Sequence, residues 1–362
     1  MKIAFHINTI SKGGAERAVI NLAEYFSKKG NDVSIITSKV CDSEYRVTHG
    51  VRRINLSETY NNSSYYRYIK LTKKLRTVVL KEKYDIIIPF ISGSIFRAFF
   101  ATLFTKIKVV GSVRNDPNYE YAGFMGKVMS TLIMPKLDGC VFQTTDAMEW
   151  FPRTLQEKSV VIFNSIKPIF YNVQRSPVRY SVVTFGRLAP QKNQSLLVKA
   201  FADVHKVVPE ASLSIYGTGI LQDKLQQLIE DLNARVYIKL MGETSNVQEI
   251  LATADIFVLP SDFEGMPNAL MEAMAVGVPC VSTNCPCGGP KNLLDNGEGG
   301  ILVNPGNQSE LSSAIVELLL DEDRKIRYSK KGIEKSLTLT EDIIGNTWLK
   351  YIKKIVLGCN NE

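Results

Sequence analysis

Ile3-Ala-Phe-His-Ile7 is a short apolar-leaning run that ends in a polar loop, residues 8–14. The next apolar residues fall at Ala15, Ala18, Val19, Leu22, Ala23 and Phe26, the spacing of one helical face. Gly30 stops that helix, and Val33-Ser-Ile-Ile-Thr37 restarts the chain as a strand, so the opening segment is a βαβ unit. Strand-like runs follow at 86–90, 108–113, 140–143 and 160–163, with helical spacing between most of them. Around residues 164–180 the pattern lapses into a stretch with two prolines and no period, which reads as a linker. Alternation then resumes. Strands are predicted at 181–185, 212–216, 236–240, 256–260, 278–283 and 300–303, with helices at 191–207, 221–232, 247–252 and 268–276. From Gln308 onward the chain reads as helical throughout, with Trp348, Tyr351, Ile352 and Ile355 on one face. The fold class expected is α/β: two Rossmann-like domains with parallel sheets covered by helices, set at 1–170 and 171–340.

Length and composition fit that frame, since 362 residues with 45% hydrophobic content suffice for two cores. Disorder, collagen-like repeats and a disulfide miniprotein are excluded. The six cysteines, Cys41, Cys140, Cys280, Cys285, Cys287 and Cys359, form no CxxC pair with a matching second pair and read as reduced thiols of a cytoplasmic protein. Residues 86–104 are long enough to span a bilayer but carry Pro89, Gly93 and Arg97. They divide more naturally into a buried strand, a turn and a helix from about residue 95 to residue 105. No secretory leader is visible at the start of the sequence.

Charge is distributed unevenly. Residues 1–177 hold 26 Lys+Arg against 14 Asp+Glu, a balance of +12, whereas the whole chain is +8. A basic half suits an anionic partner such as a phospholipid surface, a phosphorylated substrate or nucleic acid. Nucleic acid is disfavoured because no aromatic-interleaved basic motif is present.

In doubly wound domains ligands bind beyond the carboxyl ends of the strands, and the polar residues cluster there. After the first strand come Gly13 and Gly14, which open a helix and permit close approach of an anion. The pattern is not GxGxxG, which counts against a dinucleotide-binding dehydrogenase. After strand 181–185, Arg187 and Lys192 place two cations five residues apart on a strand-to-helix turn, a fork and a point charge suited to a phosphate. Gly217 and Gly219 follow the next strand. Beyond strand 256–260 come Glu264, Gly265, Met266 and Asn268, and the helix that begins there carries Glu272. Two carboxylates and two cations around helix N-termini suit a ligand with a diphosphate at its centre and hydroxyl-rich ends.

These residues, Phe185-Gly186-Arg187-Leu188 with Gln191-Lys192-Asn193, then Pro260 through Asn268 with Glu272-Ala273, resemble the retaining, nucleotide-sugar-dependent glycosyltransferases of family 4, whose fold is GT-B. The likeness is strong over residues 180–320 and looser over the first 40 residues. It implies two domains facing one cleft and a final helix, 341–362, packed back on the first domain. It implies that Arg187 and Lys192 hold the donor diphosphate, that Glu264 contacts sugar hydroxyls, and that Glu272 takes the ribose hydroxyls. Backbone N–H groups near Gly265, Met266 and Asn268 would approach the phosphates, with Gly13 and Gly14 contributing from the first domain and the base near Gly242. Many family members carry a His where this sequence has Arg114; an arginine cannot serve as a base, but it can bind donor or acceptor oxygens. No metal or cofactor is expected, because the cations take that role.

The function expected is transfer of a hexose or N-acetylhexosamine from a UDP-sugar to a glycan or lipid-linked glycan, by a cytoplasmic protein peripheral to the inner face of an anionic membrane. The membrane-facing candidates are residues 65–83, rich in Lys and Arg, and the aromatic segment 95–108. A nucleotide-sugar epimerase on the same scaffold would need added acid/base groups, whereas this chain has only His6, His49 and His205. A non-catalytic nucleotide-sugar-binding subunit would have no need of the full set Arg187, Lys192, Glu264 and Glu272.

Overall fold

Two all-parallel sheets organise the chain, as seen in a computed structural model that describes residues 1–358 except Lys12, Asp42, Ser43, His49 and residues 57–63. Cys359 and the side chains of residues 64–67 also lie outside the described residues, so that His49, Cys359 and the first side chains of the basic segment 65–83, all brought forward from the sequence, are not described. The chain divides into one unit of Met1–Ser165 with Glu341–Glu362 and a second of Ile166–Thr340.

The first unit contains β1 (Lys2–Ile7), β2 (Asp32–Thr37), β3 (Val51–Asn55), β4 (Ile86–Pro89), β5 (Lys108–Ser112), β6 (Gly139–Phe142) and β7 (Val160–Val161), in the order β3-β2-β1-β4-β5-β6-β7. β3 was not foreseen: its sequence, VRRIN, is exposed at three of five positions and lacks the continuous apolar run that marks a strand covered on both faces. The central β4, IIIP, is buried throughout. Phe90 lies at the centre of the core, with its ring 6.1 Å from Phe5 and stacked on Trp348 of the helix Glu341–Leu357 at 6.2 Å.

The second unit contains β8 (Ser181–Phe185), β9 (Ser212–Tyr216), β10 (Ile238–Gly242), β11 (Ile256–Leu259), β12 (Cys280–Thr283) and β13 (Ile301–Val303), in the order β10-β9-β8-β11-β12-β13. Its core runs through Leu197, Phe201, Leu213, Ile256, Val281 and Ile315. At the amino end of β11, Asp255 pairs with Lys325 of the helix Glu322–Leu337 at 3.0 Å and accepts the Tyr180 N–H at 2.8 Å, which ties a helix and the incoming chain to the sheet.

In each sheet the strand order reverses once: between β1 and β4 in the first unit, and between β8 and β11 in the second. Helices leave opposite faces on the two sides of such a point, which opens a crevice at the carboxyl ends of those strands. The helices Ser64–Glu82 and Ser92–Thr102, named as membrane-facing from their sequence, bury Leu75 and Val79, and Ile95, Phe96, Ala98 and Ala101, respectively. They are sheet-covering helices that leave Leu80 and Phe100 outward, while Phe104 just beyond is fully exposed.

Candidate active site

The loops after β8 and β11 leave the switch point of the second sheet side by side, and one backbone and one side-chain bond through Gln191 hold them together. The Asp262 N–H donates to the Gln191 carbonyl at 2.9 Å, and Gln191 Nε2 donates to the Phe263 carbonyl at 2.9 Å. Asn193 stands between a short turn and the helix Gln194–Val207 in the left-handed region, φ 43° and ψ 43°. Asn tolerates that conformation better than most residues. Its Oδ1 caps the Leu196 N–H at 3.3 Å and its Nδ2 donates to Asp262 at 2.7 Å, so one side chain starts a helix and clasps the opposite loop.

This arrangement delivers Lys192 onto Glu264. Lys192 Nζ donates to Glu264 Oε1, and Ser261 Oγ donates to the same oxygen at 2.6 Å. Ser261 is itself held from the neighbouring strand, its carbonyl accepting Thr283 Oγ1 at 2.5 Å. Glu264 is 5% exposed and Glu272 7%, so neither is a solvated helix-end charge. A carboxylate is buried only where partners compensate its lost hydration, and the lysine and the serine hydroxyl do so for Glu264. Arg187 stays exposed, its carbonyl taken by Gln194 Nε2 at 2.9 Å.

Gly265 and Met266 are buried and lead through Pro267 into the helix Asn268–Val276, with Glu272 one turn along. Pro267, at the N-cap, makes no side-chain cap bond, and the first turn presents the positive end of the helix dipole, which favours an anion. The loop after β9 runs beside Gly186: Gly217 has φ +133°, and a Cβ there would lie 2.0 Å from the Gly186 carbonyl oxygen. Gly242 closes β10, next to β9. The sequence reading missed Gly289, whose added Cβ would lie 1.9 Å from the Gly265 carbonyl. It backs the glutamate loop from a separate helix, Gly289–Leu293. The sequence reading took in Ser261 within the loop but gave it no role, although a hydroxyl three residues before a loop glutamate was a visible signal. Cys285 is buried near both charged partners, and burial first, then the Glu264 charge, pushes its thiol up to about 12.

In the first unit, Gly13 is the N-cap of the helix Gly14–Lys28 beyond β1. Arg114 follows β5 and is buried. Its Nε donates to Ser112 Oγ at 2.6 Å, its Nη1 to Asn164 Oδ1 at 3.0 Å, and the guanidinium lies 4.5 Å over the Phe90 ring and 5.4 Å from that of Trp348. Burial pulls its pKa down to about 9, which leaves it cationic at neutral pH. Asp116 caps the short helix Pro117–Glu120, and Glu120 Oε1 accepts the Ser92 N–H at 2.6 Å at the start of the helix after β4. Burial raises the Glu120 pKa to about 7.

Two open cavities lie away from these loops. One, of about 460 Å³, is lined by Arg175, Asp255 and Lys325; the other, of about 500 Å³, by Arg76, Lys83 and Phe104. Both adjoin the amino ends of strands, the wrong ends for a ligand of a doubly wound sheet. Among the described residues no cluster of His, Cys, Asp and Glu could hold a metal ion.

The sequence family described as Glycosyltransferase Family 4 matches residues 12–168, and that described as Glycosyl transferases group 1 matches residues 179–321. An uncharacterized glycosyltransferase of Haemophilus influenzae is 26% identical over 94% of this chain and 96% of its own length. A Campylobacter jejuni enzyme, the GalNAc-alpha-(1->4)-GalNAc-alpha-(1->3)-diNAcBac-PP-undecaprenol alpha-1,4-N-acetyl-D-galactosaminyltransferase, is 24% identical over 98% of this chain and 99% of its own. Among solved structures, Anabaena HepE in complex with UDP and glucose superposes with a TM-score of 0.83 at 20% identity, over 98% of this chain and 99% of that one.

Proposed function

The chain belongs to the family 4-like glycosyltransferases of the GT-B fold, and from that premise we propose that it is a retaining, metal-independent enzyme that moves a hexose or N-acetylhexosamine from a UDP-sugar to a lipid-linked glycan. The observation that carries the reading is the gathering of Arg187, Lys192, Glu264 and the N-terminus of Asn268–Val276 at one switch point. A departing nucleoside diphosphate needs fixed positive charge where its own charge develops. Lys192 is oriented in advance by Glu264, Arg187 presents a fork of donors to solvent, and the helix adds N–H groups aimed at the same anion.

Within this reading Glu264 keeps one carboxylate oxygen for Lys192 and Ser261 and turns the other to the sugar hydroxyls. Glu272 takes the ribose hydroxyls, and the base lies near Gly242. The leaving phosphate oxygen receives the acceptor proton, so the reaction needs no protein base, a role Arg114 could not fill. UDP in the HepE complex supports the choice of base. The diphospho-undecaprenol acceptor named for the Campylobacter enzyme supports the acceptor class. The basic first half supports a peripheral position at an anionic membrane face.

A thermal-shift panel of UDP, GDP, ADP and their sugars tests the donor. UDP and one UDP-sugar should raise the melting temperature, since a ligand at 100 times its Kd adds about 2.7 kcal/mol of apparent stability. Stabilisation by GDP or ADP without UDP would overturn the donor assignment.

A further inference from the structure

The helix Gly123–Leu132, GFMGKVMSTL, is built inside out. Of its ten residues only Ser130 is buried. Gly126 lies on the same side one turn earlier, and a Cβ on it would fall 2.4 Å from the Tyr121 carbonyl oxygen, so the helix rests on the protein through its smallest residues. The large apolar residues point away: Phe124 is 79% exposed, Met125 65% and Leu132 59%, with Val128 and Met129 half-buried. A surface helix ordinarily turns its apolar face inward, and an apolar patch of this kind on a soluble surface marks an interaction site.

The mounting is firm. Tyr121 is buried, with its ring edge-on to Phe96 at 6.0 Å and to Phe151 at 5.2 Å and tilted against Trp150 at 5.9 Å. The patch is therefore a fixed feature and not the end of a loose loop. Residues 121–137 contain Lys127 and Lys136, both exposed, and no Asp or Glu. A second copy of the same face would set lysine against lysine; an anionic lipid surface complements it. The helix is far too short to span a bilayer, and among the described residues no helix is long and apolar enough to do so.

We infer that Gly123–Leu132 is the element by which this enzyme seats itself on an anionic bilayer, with Phe124, Met125 and Leu132 entering the acyl boundary and Lys127 and Lys136 meeting headgroup phosphates. The inference rests on the reading that the acceptor is lipid-linked. It places membrane contact on the chain that follows β5, a few residues beyond Arg114 at the carboxyl end of the sheet, and not on the basic helix Ser64–Glu82.

Co-sedimentation of the full chain with phosphatidylcholine vesicles, with and without phosphatidylglycerol, tests it. Wild type should pellet with the mixed vesicles. Phe124→Ser combined with Met125→Ser should weaken that partitioning roughly tenfold or more, and Lys73→Glu with Lys74→Glu should weaken it less. Phe124→Trp should shift its emission to the blue on mixed vesicles. Pelleting of the serine pair like wild type, an unshifted tryptophan, or stronger loss from the Lys73 and Lys74 changes would overturn the inference. So would a concentration-dependent dimer that the serine pair abolishes without any vesicle binding. Transfer assays separate the two readings: the serine pair should keep activity on a short-chain soluble acceptor and lose it on a polyprenyl-linked acceptor in vesicles. Equal activity of wild type and the serine pair on the vesicle-borne acceptor overturns the inference alone, whereas wild-type activity confined to acceptors without lipid removes the acceptor assignment as well.

Discussion

At the scale of single residues, the pairing of Lys192 with Glu264 alters what a substitution there should do. Lys192→Ala leaves a buried carboxylate with only Ser261 as partner. It should therefore cost on the order of 1–3 kcal/mol of stability in addition to lowering turnover roughly a hundredfold or more. Glu264→Gln is the cleaner variant, since the amide keeps an acceptor for Ser261 and removes the buried charge; it should stay folded and still lose most turnover. Melting temperature and kcat measured on the same preparations separate the two effects, and near-normal turnover in both variants would remove the site. Glu120 supplies a pH prediction. Its folded pKa, about 7 against an ordinary 4.5, is raised by burial, so its contribution to stability is fully present below about pH 4.5 and is lost as pH rises through 7. Glu120→Gln should therefore gain on wild type in denaturant melts at pH 8 and gain nothing at pH 4. Sequence spacing disclosed Arg187, Lys192, Glu264 and Glu272 as neighbours of strand ends. It did not disclose that Lys192 and Glu264 share a bond across 72 residues of chain, because that depends on which strands become neighbours.

At the scale of elements, the turn around Asn193 joins the two loops, and its conformation gives a specific test. Asn193→Ala removes the cap on Gln194–Val207, strains a left-handed position and unclasps Asp262. About 1–2 kcal/mol should be lost in thermal unfolding. Asn193→Gly should recover the backbone share of that loss and leave the loop bond unmade, so activity should stay lower than stability alone explains. Most elements were legible from alternation because both sheets are parallel and covered on both faces, as in IIIP of β4 and IFVL of β11. Among those that were not, two failed for opposite reasons: β3 is a mostly exposed edge strand without an apolar run, and Gly123–Leu132 is an apolar helix that does not bury its apolar face. Pattern reading assumes that burial follows hydrophobicity, and both elements break that assumption.

For the molecule as a whole, the proposed role of Arg187 and Lys192 as the positive charge at the leaving group predicts that activity survives EDTA. Loss of turnover restored by Mg2+ or Mn2+ would contradict that assignment. The first unit is discontinuous: Met1–Ser165 is completed by Glu341–Glu362, and Trp348 of that last segment is wholly buried against Phe90 and Arg114. A chain that ends at Thr340 therefore holds the inserted unit, Ile166–Thr340, entire, while the other unit lacks a central piece of its core. A chain truncated after Thr340 should accordingly show protease resistance over Ile166–Thr340 and none over Met1–Ser165, and restoring the final helix Glu341–Leu357 should be what protects the first half.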